Sequence, residues 1–171
     1  MDVFFEQLVT IKKNGKAIAV FITAWLGALL LCGLAFLLSF MGLGSIFILL
    51  IAGIIFATIK FTGLLNIEYE YILTNGVMDI DRITNKSTRK RLLSFDVANV
   101  TRLEKYNASL LNNIDRKRLV FACGPNPEDA YFMVCEKEGK KAEYLVFTPN
   151  EKMKGAIVKF LPKYVANSAF K

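Results

Sequence analysis

Histidine is absent from all 171 residues. That removes imidazole metal ligands and histidine general bases together, and with them most catalytic triads and zinc hydrolase motifs. Charge is absent from one long stretch: between Ala17 and Ile59, 43 residues pass without an Asp, Glu, Lys or Arg. Cysteine is scarce. Cys32 lies in the uncharged stretch and Cys123 and Cys135 lie in apolar, strand-like runs, so the three thiols form no disulfide framework and are expected to behave as small hydrophobes. A cytoplasmic setting would keep these thiols reduced. Internal repeats and low-complexity tracts are also missing.

As a single helix the uncharged stretch would reach roughly 65 Å, about twice the ~30 Å hydrocarbon core of a bilayer. Two helices with a tight turn fit, and Gly42, Leu43, Gly44 and Ser45 interrupt the apolar run where the turn is needed. The expected organisation is an N-terminal cytoplasmic segment over 1–16 and a two-helix transmembrane hairpin over 17–59, with spans at about 17–38 and 44–59. A linker over 60–66 and a cytoplasmic domain over 67–171 follow. Lys12, Lys13 and Lys16 precede the first span, Lys60 follows the second, and the turn between is uncharged, so both termini are placed in the cytoplasm and the protein in the cell membrane. A cleaved signal peptide also begins with a basic segment and an apolar run, but here the run is too long, a second follows at once, and Asp2 and Glu6 sit in the leader. Leu31 before Cys32 is not the small residue that a lipoprotein signal needs.

Ahead of the spans, Phe4, Phe5, Leu8 and Ile11 fall near one helical face, which suits an amphipathic helix in the interface or an extension of the first span. Within the spans, Ala24, Ala28 and Cys32 form a stripe of small residues that Gly53 and Ala57 are expected to face.

After Lys60 the pattern changes from continuous apolar to alternating. Ile67, Tyr69, Tyr71 and Leu73 alternate with Glu68, Glu70, Ile72 and Thr74, and Asn75-Gly76 is a strong hairpin signal into a second strand over 77–83. A turn at 84–88, a strand through Leu93, Phe95 and Val97, and another over 100–106 follow. Beyond an Asn-rich loop come strands around Leu119–Cys123, Tyr131–Cys135 and Ala142–Phe147, with turns at Gly124-Pro125-Asn126-Pro127 and Glu138-Gly139. Thr148-Pro149-Asn150-Glu151 spells a capping box with Pro149 at the first helical position. The helix it opens carries Met153, Ile157, Phe160, Leu161 and Tyr164 on one apolar face, and Pro162 kinks or ends it.

Seven antiparallel strands closed by one C-terminal helix is the order of the pleckstrin-homology superfold. The run Tyr71-Ile72-Leu73-Thr74-Asn75-Gly76-Val77, then Ile80 and Arg82, then Arg89 to Leu93 leading to Val97 and Val100, resembles the opening of bacterial PH-like domains that follow one or two transmembrane helices. The architecture is also similar to that of small Firmicutes membrane proteins with two transmembrane helices. The resemblance covers roughly Ile67 to Tyr164. It implies a membrane α-helical hairpin plus a cytoplasmic α+β domain, a PH-like seven-stranded antiparallel β-barrel capped by a C-terminal helix. It also implies a binding or assembly module, and it brings no catalytic residues.

Residues 61–171 carry 18 Lys+Arg against 13 Asp+Glu. Beside a membrane such a balance suits anionic headgroups as well as it suits nucleic acid, and no RNA-binding signature accompanies it. Arg82, Lys86, Arg89, Lys90 and Arg91 crowd the second hairpin, and Arg116, Lys117 and Arg118 form another cluster; these eight are the candidate headgroup contacts. Asp79 and Asp81 are expected on a solvent face. The expected role is a non-enzymatic, membrane-anchored scaffold, without cofactor or metal, that presents its domain to a protein partner through an exposed strand edge or the cleft beside the helix. An anionic-lipid sensor and an accessory subunit of a transporter or membrane enzyme are the alternatives.

Overall fold

The computed structural model describes residues 3–11, 13–40, 44–112, 114–124, 127–136, 139 and 141–170. The expected turn residues Gly42, Leu43, Pro125, Asn126 and Glu138, and the flanking Lys12, lie outside the described residues. The chain divides into two compact units, one made of residues 13–67 with 84–87, the other of residues 1–12, 68–83 and 88–171.

The first unit is a helical hairpin of α1 (Gly15–Ser39) and α2 (Gly44–Gly63), both long and apolar enough to cross a membrane. Asn14 caps α1 by accepting the Ala17 N–H at 2.8 Å. The stripe of small residues does face the partner helix: Ala28 and Ala35 are buried, with Ala24 and Cys32 half-buried beside them. Gly53 and Ala57 do not meet it, because both are exposed; α2 turns Phe47, Ile51, Ile54 and Thr58 inward instead. The Thr58 and Thr62 hydroxyls donate to the Ile54 and Thr58 carbonyls, each at 2.8 Å, so these polar groups are satisfied within the helix. Lys60 stands inside the last turn of α2 rather than after it. The turn over 84–87 belongs to this unit: the Asn85 N–H donates to the Asn66 carbonyl at 2.8 Å.

Among the described residues the second unit holds eight strands in two four-stranded sheets, not seven strands in a closed antiparallel barrel. The first sheet runs β1 (Phe4–Thr10), β2 (Ile67–Thr74), β3 (Val77–Thr84), β4 (Thr88–Asp96) in that order. The extra strand is the N-terminal segment, which is neither an interfacial helix nor an extension of α1. Seven residues are too few for periodicity to separate helix from strand. Pairing decides, with Phe5 opposite Leu73, Gln7 opposite Tyr71 and Val9 opposite Tyr69.

The second sheet holds β5 (Val100–Lys105), β6 (Leu119–Ala122), β7 (Tyr131–Cys135) and β8 (Glu143–Phe147), ordered β5-β7-β8-β6. Strands β5 and β6 are adjacent in sequence but not in space, and β6 runs parallel to β8. The long connection between them makes a tight hairpin impossible and folds over the outer face of the sheet instead. There Leu110, Leu111 and Ile114 cover Phe132, Val134 and Val146.

Between the sheets lies the main core, built on Tyr71, Leu73, Met78, Ile80, Met133, Leu145 and Phe147, all fully buried. Asn75 at φ 48° and Gly76 at φ 90° make the tight β2–β3 turn that the Asn-Gly pair predicts. Helix α3 (Glu151–Val158) closes the core with Met153, Ala156 and Ile157. Its cap is Asn150, whose Oδ1 accepts the Met153 N–H at 2.8 Å, and not Thr148. The Thr148 hydroxyl is engaged elsewhere, accepting the Gly124 N–H at 2.7 Å, so the helix starts two residues later than a Thr148 cap would place it. Pro162 ends the run and opens α4 (Lys163–Ala166), which turns Val165 inward and leaves Tyr164 exposed, off the expected apolar face.

Candidate functional site

The eight basic residues differ in their local settings. Arg82 is half-buried on β3, Lys86 and Lys90 are exposed, and Arg116, Lys117 and Arg118 make a single 3-10 turn before β6, where an Arg118 Nη1 N–H donates to the Ala142 carbonyl at 3.1 Å. Arg89 and Arg91 are held by carboxylates. Arg89 lies 2.9 Å from Glu70, and Arg91 spans Asp79 and Asp81, each at 3.0 Å. Asp79 and Asp81 lie on the outer face, opposite Met78 and Ile80, but Arg91 covers them, and Asp81 is only 3% exposed. Burial pushes the Glu70 carboxyl above its ordinary value, a hydrogen bond that its protonated form donates to Glu6 adds to the effect, and Arg89 opposes it. Two of the expected headgroup contacts thus balance charges inside the sheet. Among the described residues no group of three His, Cys, Asp or Glu side chains is placed to hold a metal ion.

A groove of about 620 Å³ runs beside β1, lined by Gln7 to Thr10 on one side and by Lys105, Gly124, Tyr131 and the start of α3 on the other. None of the eight basic residues lines it. Strand β1 is the outermost strand of its sheet. The Asn75 N–H donates to the Val3 carbonyl at 2.9 Å, and antiparallel pairs alternate between bonded and non-bonded. It follows that Phe5, Gln7 and Val9 spend their backbone groups on β2, while those of Phe4, Glu6, Leu8 and Thr10 point to the free edge. Such an edge is a template for another strand.

Several contacts hold this edge in place. The Gln7 amide donates to the Thr148 carbonyl at 2.9 Å and accepts the Asn150 N–H at 2.8 Å, which fixes β1 to the β8–α3 corner. Tyr71 donates its hydroxyl to the Ala122 carbonyl and accepts the Thr148 N–H at 3.2 Å; burial pushes its phenol up to about 12, so it remains a donor. Gly124 permits the close approach, because a Cβ there would sit 3.1 Å from Thr148 Oγ1 and 3.2 Å from Val9 Cγ1. At the far wall, Lys154 Nζ lies 2.8 Å from Glu151 and 4.9 Å from the centre of the Tyr131 ring, so its charge is already partnered.

Sequence reasoning named a strand edge and a cleft beside the helix without locating either. The signal was present in Phe4-Phe5-Glu6-Gln7-Leu8-Val9-Thr10, whose alternation becomes readable once β2 is known to need a neighbour.

A family model described as a bacterial PH-like domain, DUF6106, matches residues 1–167, the N-terminal strand and both helices included. No curated protein and no solved structure matches the chain.

Proposed function

The chain belongs to this bacterial PH-like domain family, and from that premise we propose that it is a membrane-anchored docking module that accepts an extended segment of a protein partner along β1. The observation that carries the proposal is the free edge of β1 beside a groove of about 620 Å³. Strand addition supplies main-chain hydrogen bonds, and side-chain places along the groove supply selectivity. The role is binding, not catalysis.

Anchoring follows from connectivity. Strand β1 ends at Thr10, the helical hairpin begins at Gly15 and ends at Gly63, and β2 begins at Ile67 as the partner of β1. Strands that pair in one sheet bring both ends of the hairpin to one side, which supports two spans rather than one. Lys13, Lys16 and Lys60 favour the cytoplasm for that side. Confinement at the membrane then raises the effective concentration of a partner that shares it.

The test is in-cell photo-crosslinking of the full-length protein in the cell membrane. A photoreactive residue in place of Leu8 is expected to trap a protein partner, while the same residue in place of Lys117 traps none. Equal yields at the two positions would falsify docking at β1. Stoichiometric co-purification with a transporter or membrane enzyme, independent of Leu8, would identify an accessory subunit instead.

One observation favours a second reading, contact with anionic lipid. The turn that carries Lys86 is tied through Asn85 to Asn66, three residues after the end of α2, which sets Lys86 close to where a spanning helix leaves the bilayer. Each Lys or Arg at an anionic surface contributes about 1 kcal/mol. Lys86→Glu with Lys90→Glu is then expected to weaken association of the full-length protein's cytoplasmic face with phosphatidylserine vesicles; unchanged association removes this reading.

A further inference from the structure

The outer face of β1 presents Phe4, Glu6, Leu8 and Thr10, all exposed, with Phe4 61% and Leu8 54% accessible. A segment added along the free edge sets alternate side chains directly across from these four, with Cβ atoms about 4.5–5.5 Å apart, and such pairs decide which sequences are accepted. In order, the template reads apolar, acidic, apolar. Glu6 forms no salt bridge with a described residue, and the carboxyl that it meets, Glu70, already holds Arg89. An acidic residue arriving opposite Glu6 brings a third carboxylate to the pair. A Lys or Arg arriving there meets uncompensated negative charge, while its neighbours two positions away cover Phe4 and Leu8.

We infer that the segment docked at β1 carries a basic residue with an apolar residue two positions away on each side. The inference rests on the docking reading above and names the chemistry of its partner. Because apolar-x-basic-x-apolar reads the same in both directions, parallel and antiparallel addition satisfy it equally. A second copy of this chain satisfies it poorly: β1 against β1, centred so that Phe4 covers Leu8, sets Glu6 opposite itself.

The experiment uses the full-length protein in detergent micelles with the segment Ser-Val-Thr-Lys-Thr-Val-Ser fused ahead of Met1 through a flexible Gly/Ser linker, which keeps it at roughly millimolar effective concentration. Amide hydrogen exchange is read at Phe4, Glu6, Leu8 and Thr10, with the β2-paired amides of Phe5, Gln7 and Val9 reporting that the sheet is intact. The lysine segment is expected to slow the four edge amides about tenfold more than the same segment with a central Glu, and Glu6→Lys is expected to reverse the order. Equal slowing by both segments, unmoved by Glu6→Lys, overturns the basic preference and leaves strand docking standing. Slowing by neither overturns docking at β1 and the inference with it. Protection that rises with concentration in the unfused protein places a second copy on the edge and overturns the inference as well.

Discussion

On the outer face of the first sheet the side chains at mid-sheet are Glu70, Asp79 and Asp81 beneath Arg89 and Arg91, whereas the outer face of the second sheet carries Phe132, Val134 and Val146 beneath Leu110, Leu111 and Ile114. Both coverings come from the chain itself, but by different physics. The apolar lid removes carbon from water and leaves no groups to pair. The arginine lid balances charge, remains half in solvent, and leaves the neighbouring β1 edge open. Covering a face leaves the edges of a sheet as they were: each sheet keeps two outermost strands, β1 and β4 in the first, β5 and β6 in the second. The groove lies along β1.

The comparison breaks first at Phe132. If the lid over the second sheet is a true core, Phe132→Ala is expected to lower stability by about 3–5 kcal/mol, as much as Phe147→Ala between the sheets. Ile72→Ala, half-buried on the outer face of the first sheet, is expected to lose less than about 1.5 kcal/mol. Thermal unfolding of the full-length protein followed by circular dichroism ranks the three, and a Phe132 loss as small as that of Ile72 means that the lid is loosely packed.

Next in size is the ion-pair layer. Arg89→Ala strands the buried Glu70 carboxylate, and because Arg89 is itself more than half exposed the expected loss is about 1 kcal/mol. Glu70→Gln in the same chain is expected to recover most of it, since the charge left without a partner is then gone. A double variant no better than the single would show that Arg89 acts through packing of its stem.

The pH dependence is a finer probe. The Glu70 carboxyl in the folded protein is raised above its ordinary 4.5, so the folded state holds that proton more firmly than the unfolded chain does. Stability from this group therefore grows as pH falls through its folded value toward 4.5 and is lost as pH rises through the same window. Urea unfolding across that range is expected to lose this slope in Glu70→Gln; an unchanged slope assigns the effect to other carboxyls. The smallest effect is expected at Lys86 and Lys90, where charge reversal leaves stability within about 0.5 kcal/mol, measured by the same unfolding curves.

Much of the fold was legible because it is written locally. Forty-three residues without charge specify two apolar helices, Asn75-Gly76 specifies a turn that needs positive φ at both residues, and alternation over 67–74 specifies a strand with one inward face. The expected headgroup cluster was legible only as composition. Sequence adjacency joined Arg89 and Arg91 to Lys86 and Lys90; in the sheet Arg91 turns to carboxylates on the neighbouring β3, and Arg89 reaches past β3 to Glu70 on β2. The Thr148 cap misled for a similar reason: its hydroxyl has a competing donor in Gly124, which local sequence does not reveal.

By itself the sequence determined what could be decided within a few residues: which segments are apolar enough to enter a membrane, where turns fall, and which strand faces turn inward. Tertiary structure decided three things: that Phe4–Thr10 pairs with β2 across the intervening helical hairpin in sequence, that β6 lies beside β8 rather than β5, and that the basic hairpin pairs two arginines with acids of β2 and β3. Each of these depends on residues distant in sequence. Such pairings have no local signature, because their free energy comes from edges and charges that exist only once the rest of the sheet has formed.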